Sequence, residues 1–135
     1  MKSFILLRME KPTRIIIADD HLLVRKALKN IFEQAEHMEV VAEARDADEV
    51  FRQIDNQNAD VMVLDLNLPG KDGLEILQQL RRSKKDLPVV VLTLHSQETL
   101  RKKALGLGAA DFLAKDCDPH DLVEAVRRAT SFNRV

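Results

Sequence analysis

The sequence predicts an α/β fold: one doubly wound, five-stranded parallel sheet with helices on both faces. Three observations predict it. The stretch Val61-Met62-Val63-Leu64-Asp65 is a run of four apolar residues, two of them β-branched, ending on a carboxylate. Such a run reads as a strand covered on both faces. Two similar runs, at residues 14–18 and 87–92, also end on polar residues, Asp19-Asp20 and Thr93. Between the runs, apolar residues recur every three or four positions, so strands alternate with helices through short connections, the pattern of a parallel sheet.

Residues 1–13 carry mixed charge, no sustained period and a proline, and read as an N-terminal extension, loosely ordered, outside the folded unit. The first strand, 14–18, is followed by a helix on which Val24, Leu28, Ile31 and Phe32 share a face. A second strand covers 38–44. Asp46, with Glu49 three residues on, opens a helix through about 57 in capping-box fashion. After the strand ending at Asp65 come the loop formers Pro69, Gly70 and Gly73, then a helix over 73–83 turning Leu74, Leu77 and Leu80 inward. Arg81-Arg82 and Lys84-Lys85 at its end read as a solvated basic terminus favoured by the helix dipole. The fourth strand, 87–92, ends on Thr93; Ser96 can cap the next helix, with Leu100, Ala104 and Leu107 inward. A short fifth strand, 110–114, ends on Lys115. Asp118-Pro119 is a cap followed by proline at the first helical position, and Leu122, Val126 and Ala129 line the last helix. Residues 14–130 thus form one domain, and 131–135 a tail or the start of a linker.

Composition narrows the function. With 135 residues, 45% of them hydrophobic and 32% charged, the chain suits one ordinary globular domain. A net charge of −1 gives no basic field for nucleic acid or anionic membrane, so neither direct DNA binding nor membrane association is expected. A single cysteine, Cys117, excludes an internal disulfide and suits a reducing, cytoplasmic setting; it reads as a small filler before the last helix. The early apolar run at residues 4–7 is too short for a signal-peptide core.

Parallel strands share a direction, so their carboxyl ends share an edge, and in open α/β sheets ligands bind there. That edge receives Asp19 and Asp20 from the first strand, Asp65 from the third, Thr93 from the fourth and Lys115 from the fifth. Each alone has a plainer reading, as a helix cap, a strand-end hydroxyl or a surface lysine. Together, three close carboxylates repel unless a cation sits among them. Oxygen donors, with no His or Cys at metal-ligand spacing, favour Mg²⁺. Thr93 and Lys115 then supply a hydrogen bond and a positive charge for phosphoryl oxygens. The residues describe a site where an aspartate receives a phosphoryl group.

The set Ile-Ala-Asp-Asp at 17–20, Asp-Leu-Asn-Leu-Pro-Gly-Lys-Asp-Gly at 65–73, Thr93, and Gly-Ala-Ala-Asp-Phe-Leu-Ala-Lys at 108–115 resembles the receiver (CheY-like) domain of two-component response regulators. The Asp-Asp-His opening and the Lys-Asp ending resemble the NarL/FixJ branch. The resemblance implies strand order 2-1-3-4-5, with Asp65 as phosphoacceptor. Asp20, Asp65 and the Asn67 backbone carbonyl would be direct Mg²⁺ ligands, and Asp19 a ligand through water. It further implies Lys115 contacting the phosphoryl group, Thr93 as switch hydroxyl and Phe112 as aromatic switch residue, where Phe112 is otherwise a core aromatic. Its partners would be a sensor histidine kinase or phosphotransfer protein and a second copy on phosphorylation, with control of transcription in a longer parent protein. Such a module is not a turnover enzyme; it catalyses only its own phosphorylation and dephosphorylation. Asn67 and His95, each two residues past a site residue, are expected to tune dephosphorylation.

The sequence departs from many receivers in having Asp116 where a cis-proline commonly follows the lysine, and Phe112 where a tyrosine is frequent. Two other readings compete. An aspartyl-phosphate phosphatase would use Asp-x-Asn at 65–67, but the general acid aspartate two residues on and a cap insertion are missing. A flavodoxin-like FMN site lacks a Ser/Thr/Gly-rich loop after the first strand and any Trp or Tyr to flank the ring.

Overall fold

A computed structural model describes residues 11–84, 86–94 and 97–131. Five strands, β1 (Thr13–Ala18), β2 (Met38–Ala44), β3 (Val61–Leu64), β4 (Val89–Thr93) and β5 (Asp111–Ala114), alternate with five helices. The helices are α1 (Leu22–Gln34), α2 (Ala47–Asn56), α3 (Gly73–Ser83), α4 (Glu98–Gly106) and α5 (Pro119–Ser131). Every strand pairing is parallel, and the order across the sheet is β2-β1-β3-β4-β5. The fold and strand order agree with the sequence reading.

Period-two alternation divides the core between the two faces. Ile16, Ala18, Met62, Leu64, Val89 and Val91 pack with α2, α3 and α4 residues such as Val50, Ile76, Leu77 and Leu80. Ile15, Ile17, Val61, Val63, Val90 and Leu92 face Leu28 and Phe32 of α1 and Leu122 and Val126 of α5. All of β3 is buried, because both of its faces are covered. Fully burying one such side chain is worth about 1.5–3 kcal/mol relative to exposure, which makes the central strands a rigid support for their carboxyl ends.

Local signals act largely as expected. The Asp46 carboxylate accepts the Glu49 amide at 2.8 Å to open α2, and Asp118 accepts the His120 amide at 2.8 Å to open α5. Asp72, rather than the more distant Asp65, caps α3 by accepting the Leu74 amide at 2.9 Å. The differences are instructive. Thr13, placed in the extension by sequence, is buried in β1 and pairs with Met38; residues 1–10 and 132–135 lie outside the described residues. Ser96 also lies outside them, and Gln97 precedes α4 without a side-chain cap. Leu74 is only half-buried, while Ile76 takes the inward position in α3.

Arg81 is not part of a solvated terminus. Its guanidinium donates to the Leu87 carbonyl, and burial lowers its pKa from the ordinary arginine value. A Cβ added to Gly108 would stand 2.7 Å from Arg81 Cδ, so the glycine leaves room for this stem. Arg82 and Lys84 are exposed, as expected. No helix among the described residues is long and apolar enough to cross a membrane.

Candidate functional site

The ladders deliver the site residues in register. Ala18 pairs with Leu64, so Asp19 and Asp65 leave their strands side by side. The Asp19 amide donates to the Ala44 carbonyl of β2, and the Asp65 amide to the Ala18 carbonyl of β1, each at 2.9 Å. Thr93, fully buried, pairs with Ala114, and the Lys115 amide donates to the Thr93 carbonyl at 2.9 Å. Main-chain pairing therefore carries an aspartate, an aspartate and a lysine to adjacent places on one edge.

Their side chains meet there. Lys115 Nζ lies 2.7 Å from Asp19 Oδ2 and 3.0 Å from Asp65 Oδ2, and all three side chains are less than a tenth exposed. Burial alone would lower the lysine's pKa, but its hydrogen bonds to Asp19 and Asp65 and their charges outweigh that, so its pKa lies above the ordinary value. The second oxygen of each aspartate is held locally. Asp65 Oδ1 accepts the Asn67 amide at 3.0 Å, and Asp19 Oδ1 accepts the His21 amide at 2.8 Å. Both turns are of the kind aspartate favours, in which the side chain bonds the backbone two residues on.

Two glycines shape the loop after β3. Gly70 has φ +96°, a left-handed conformation that suits glycine, and the preceding Pro69 carbonyl accepts the Ala47 amide at 3.2 Å. At Gly73 a Cβ would overlap the Leu66 backbone, so the start of α3 touches the chain one residue beyond Asp65.

Of the residues expected from sequence, Asp19, Asp65 and Lys115 touch, and Asp20 joins them as a more exposed neighbour. Phe112 is buried with its ring in the core cluster that includes Val91, Ala104 and Ala109. Asn67 is exposed beside the site. His95 lies outside the described residues. The peptide bond after Lys115 is trans, as no cis bond occurs among the described residues. Cys117 is half-buried, and burial and the nearby Asp121, Asp116 and Asp118 push its thiol pKa up, in keeping with a filler.

A histidine also borders the acidic cluster. His21 Nδ1 lies 3.1 Å from Asp19 Oδ1 and 3.0 Å from Asp20 Oδ1, and one potential donor atom from each of Asp19, Asp20, His21 and Asp65 falls within 4.8 Å of the others. A cluster of that width is compatible with one small hexacoordinate cation after modest closure, and the exposed Asp20 and His21 leave a side open for water ligands. His21 shows no metal-ligand spacing in the sequence, because it follows the paired aspartates directly. Arg25, which donates to the Asp19 carbonyl, and Glu43, which pairs with Arg25, were missed as well. The available signal was an arginine in the first turn of an amphipathic helix.

Comparison with known proteins agrees with this geometry. A family model described as the response regulator receiver domain matches residues 15–127. The response regulator UvrY of Escherichia coli is 32% identical over 120 residues, covering 89% of this chain and 55% of UvrY. A two-component response regulator of the LuxR family from an Aurantimonas species superposes with a TM-score of 0.85 at 32% identity, over 90% of this chain and 86% of that one. RcsB from Salmonella enterica serovar Typhimurium, solved bound to a promoter in the presence of a beryllofluoride phosphomimetic, superposes with a TM-score of 0.80 at 29% identity, over 85% and 66%. The chain spans about half the length of the curated relatives it matches. With sheet order, edge chemistry and a family match over most of its length in agreement, this chain belongs to the response regulator receiver domains, signalling modules of the NarL and LuxR type.

Proposed function

We propose that Asp65 is the phosphoacceptor of this receiver. The observation that carries the reading is the buried Asp65 carboxylate at the end of β3, 3.0 Å from the Lys115 ammonium, which itself bridges to Asp19. An Asp65 oxygen attacks the phosphorus of a phosphohistidine; the P–N bond breaks, the imidazole leaves with the electron pair, and an aspartyl phosphate forms. Lys115, already charged and within reach, then pairs with a phosphoryl oxygen. Residues 13–131 constitute the receiver, and the donor is a sensor histidine kinase or phosphotransfer protein. The module turns over no substrate of its own.

Mg²⁺ would be held by Asp20, Asp65 and the Asn67 backbone carbonyl directly, with Asp19 acting through water. It would neutralise the charge that gathers between donor and acceptor. The width and acidity of the cluster support this fit. Thr93 is the switch hydroxyl that follows the phosphoryl group, and Phe112 the ring that responds beneath β5. Asn67 and His95 tune the hydrolysis of the aspartyl phosphate. The altered α4-β5-α5 surface is read by a second copy or by an output segment controlling transcription in a longer protein, as the promoter-bound RcsB relative suggests. Nothing in the net charge favours DNA binding by this domain itself. A cytoplasmic site of action completes the reading.

Intact mass after incubation with acetyl phosphate and Mg²⁺ tests it. Wild type is expected to gain one phosphoryl group and Asp65→Asn none. Equal modification of both, or steady hydrolysis of unrelated phosphate esters, contradicts the proposal.

A further inference from the structure

Arginine is almost never fully buried unless paired, and Arg25 is only 7% exposed. Its position also works against it. It stands in the first turn of α1, where the helix dipole disfavours a cation, and that turn contains no acidic residue to offset it. A local conflict of this kind points to a job done elsewhere.

The side-chain contacts identify that job. Arg25 Nη1 donates to the Asp19 carbonyl at 2.9 Å, and Nε donates to Glu43 Oε1 on β2 at 3.0 Å. The Asp19 amide is meanwhile tied to the Ala44 carbonyl. The peptide joining Asp19 to Asp20 is therefore gripped by its carbonyl, and the grip is anchored to the neighbouring strand through Glu43. That peptide sets the direction in which the Asp20 side chain leaves the sheet edge. A guanidinium suits the task because its rigid fork serves two acceptors in fixed relation, which an ammonium does not.

We propose that Arg25, braced by Glu43, is the positioning residue for the Asp19-Asp20 pair and thereby for divalent-cation binding at the edge. The inference rests on the receiver reading above but adds residues that neither the acidic cluster nor the comparisons assign. Glu43 orients Arg25 and neutralises it, so that the buried guanidinium does not itself repel the ion.

The test uses the full chain and separates stability from position. Arg25→Met with Glu43→Gln removes the charge pair together, leaving no isolated buried ion. The double variant is expected to fold, with the Asp20 and His21 amide resonances shifted in metal-free protein, and to bind Mg²⁺ roughly 10–100-fold more weakly, as when an outer partner of a metal ligand is lost. Glu43→Gln alone keeps an acceptor for Nε and the grip on the Asp19 carbonyl but leaves Arg25 unneutralised, and is expected to weaken Mg²⁺ binding by less than the double variant does. Unshifted Asp20 and His21 amides with wild-type affinity in the double variant overturns the inference. So does an equal loss in Glu43→Gln alone, since charge rather than the carbonyl grip would then carry the effect. If the double variant does not fold, Arg25→Lys decides: weaker Mg²⁺ binding is expected, and wild-type affinity overturns the inference. Absence of Mg²⁺ binding by wild type would instead refute the receiver reading.

Discussion

Lys115 is the cation that the unphosphorylated site cannot spare, and Lys115→Met measures its worth. The substitution keeps the aliphatic stem and removes an ammonium that stands 2.7 Å from Asp19 and 3.0 Å from Asp65, each aspartate side chain only 2% exposed. Removing one partner of a buried ion pair costs about 3–5 kcal/mol, because the other charge is left uncompensated. Here two carboxylates are stranded, but the exposed Asp20 and His21 give water a way in, which favours the lower end, about 3 kcal/mol. For a domain of this size that corresponds to a melting point lower by roughly 9–15 °C. Millimolar Mg²⁺ should recover part of the loss; a ligand at 100 times its dissociation constant contributes about 2.7 kcal/mol. Adding Asp65→Asn to Lys115→Met should also recover part of it, by removing one stranded charge. The sign with pH follows from the raised lysine value. The stabilisation is fully present below the unfolded value of 10.5 and is lost as pH rises through the higher folded one, so the gap between wild type and variant closes only in strong alkali. Urea and thermal denaturation without metal provide the assay. A metal-free Lys115→Met protein within about 1 kcal/mol of wild type, a difference typical of an exposed pair, would refute the argument that this ammonium holds the acidic edge together.

Three further outcomes are expected. Gly73→Ala should cost about 1–3 kcal/mol through overpacking against the Leu66 backbone and slow phosphorylation by shifting the loop after Asp65; a wild-type rate with wild-type stability would show that the contact does not position the acceptor. Substituting Asn67 or His95 should change the aspartyl-phosphate lifetime while moving stability by less than about 0.5 kcal/mol, read by radiolabel decay beside a melt. Ring-resolved NMR of Phe112 should report a mostly inward ring before phosphorylation, as its burial implies, and a change with a phosphoryl mimic that Thr93→Ala abolishes; an unchanged ring in both proteins would uncouple the two residues.

The fold was legible because backbone and burial signals coincide in this chain. Residues 61–64 are apolar without interruption since β3 is covered on both faces, and Asp46, Asp72 and Asp118 cap helices through their own side chains. The edge constellation followed from parallel geometry alone: strands in one direction must bring Asp19, Asp65 and Lys115 to one side. What escaped depends on how distant segments pack. Arg81 and Arg82 are indistinguishable as letters, yet only Arg81 faces Leu87 and Gly108. The Arg25–Glu43 pair joins residues 18 apart on different elements, and no local period marks it. The place of the His21 ring beside Asp19 and Asp20 depends on the turn at the start of α1, which no sequence period marks. Asp65→Asn need not gain stability from relieved repulsion, because Lys115 already offsets the two buried carboxylates.

The most direct measurement is to locate the phosphoryl group. The protein is phosphorylated with acetyl phosphate and Mg²⁺, the acyl phosphate is reduced with borohydride to convert the modified aspartate to homoserine, and peptides are mapped by tandem mass spectrometry. The account predicts homoserine at residue 65, with Asp19 and Asp20 unmodified. Homoserine at either of those two positions with Asp65 intact would contradict it.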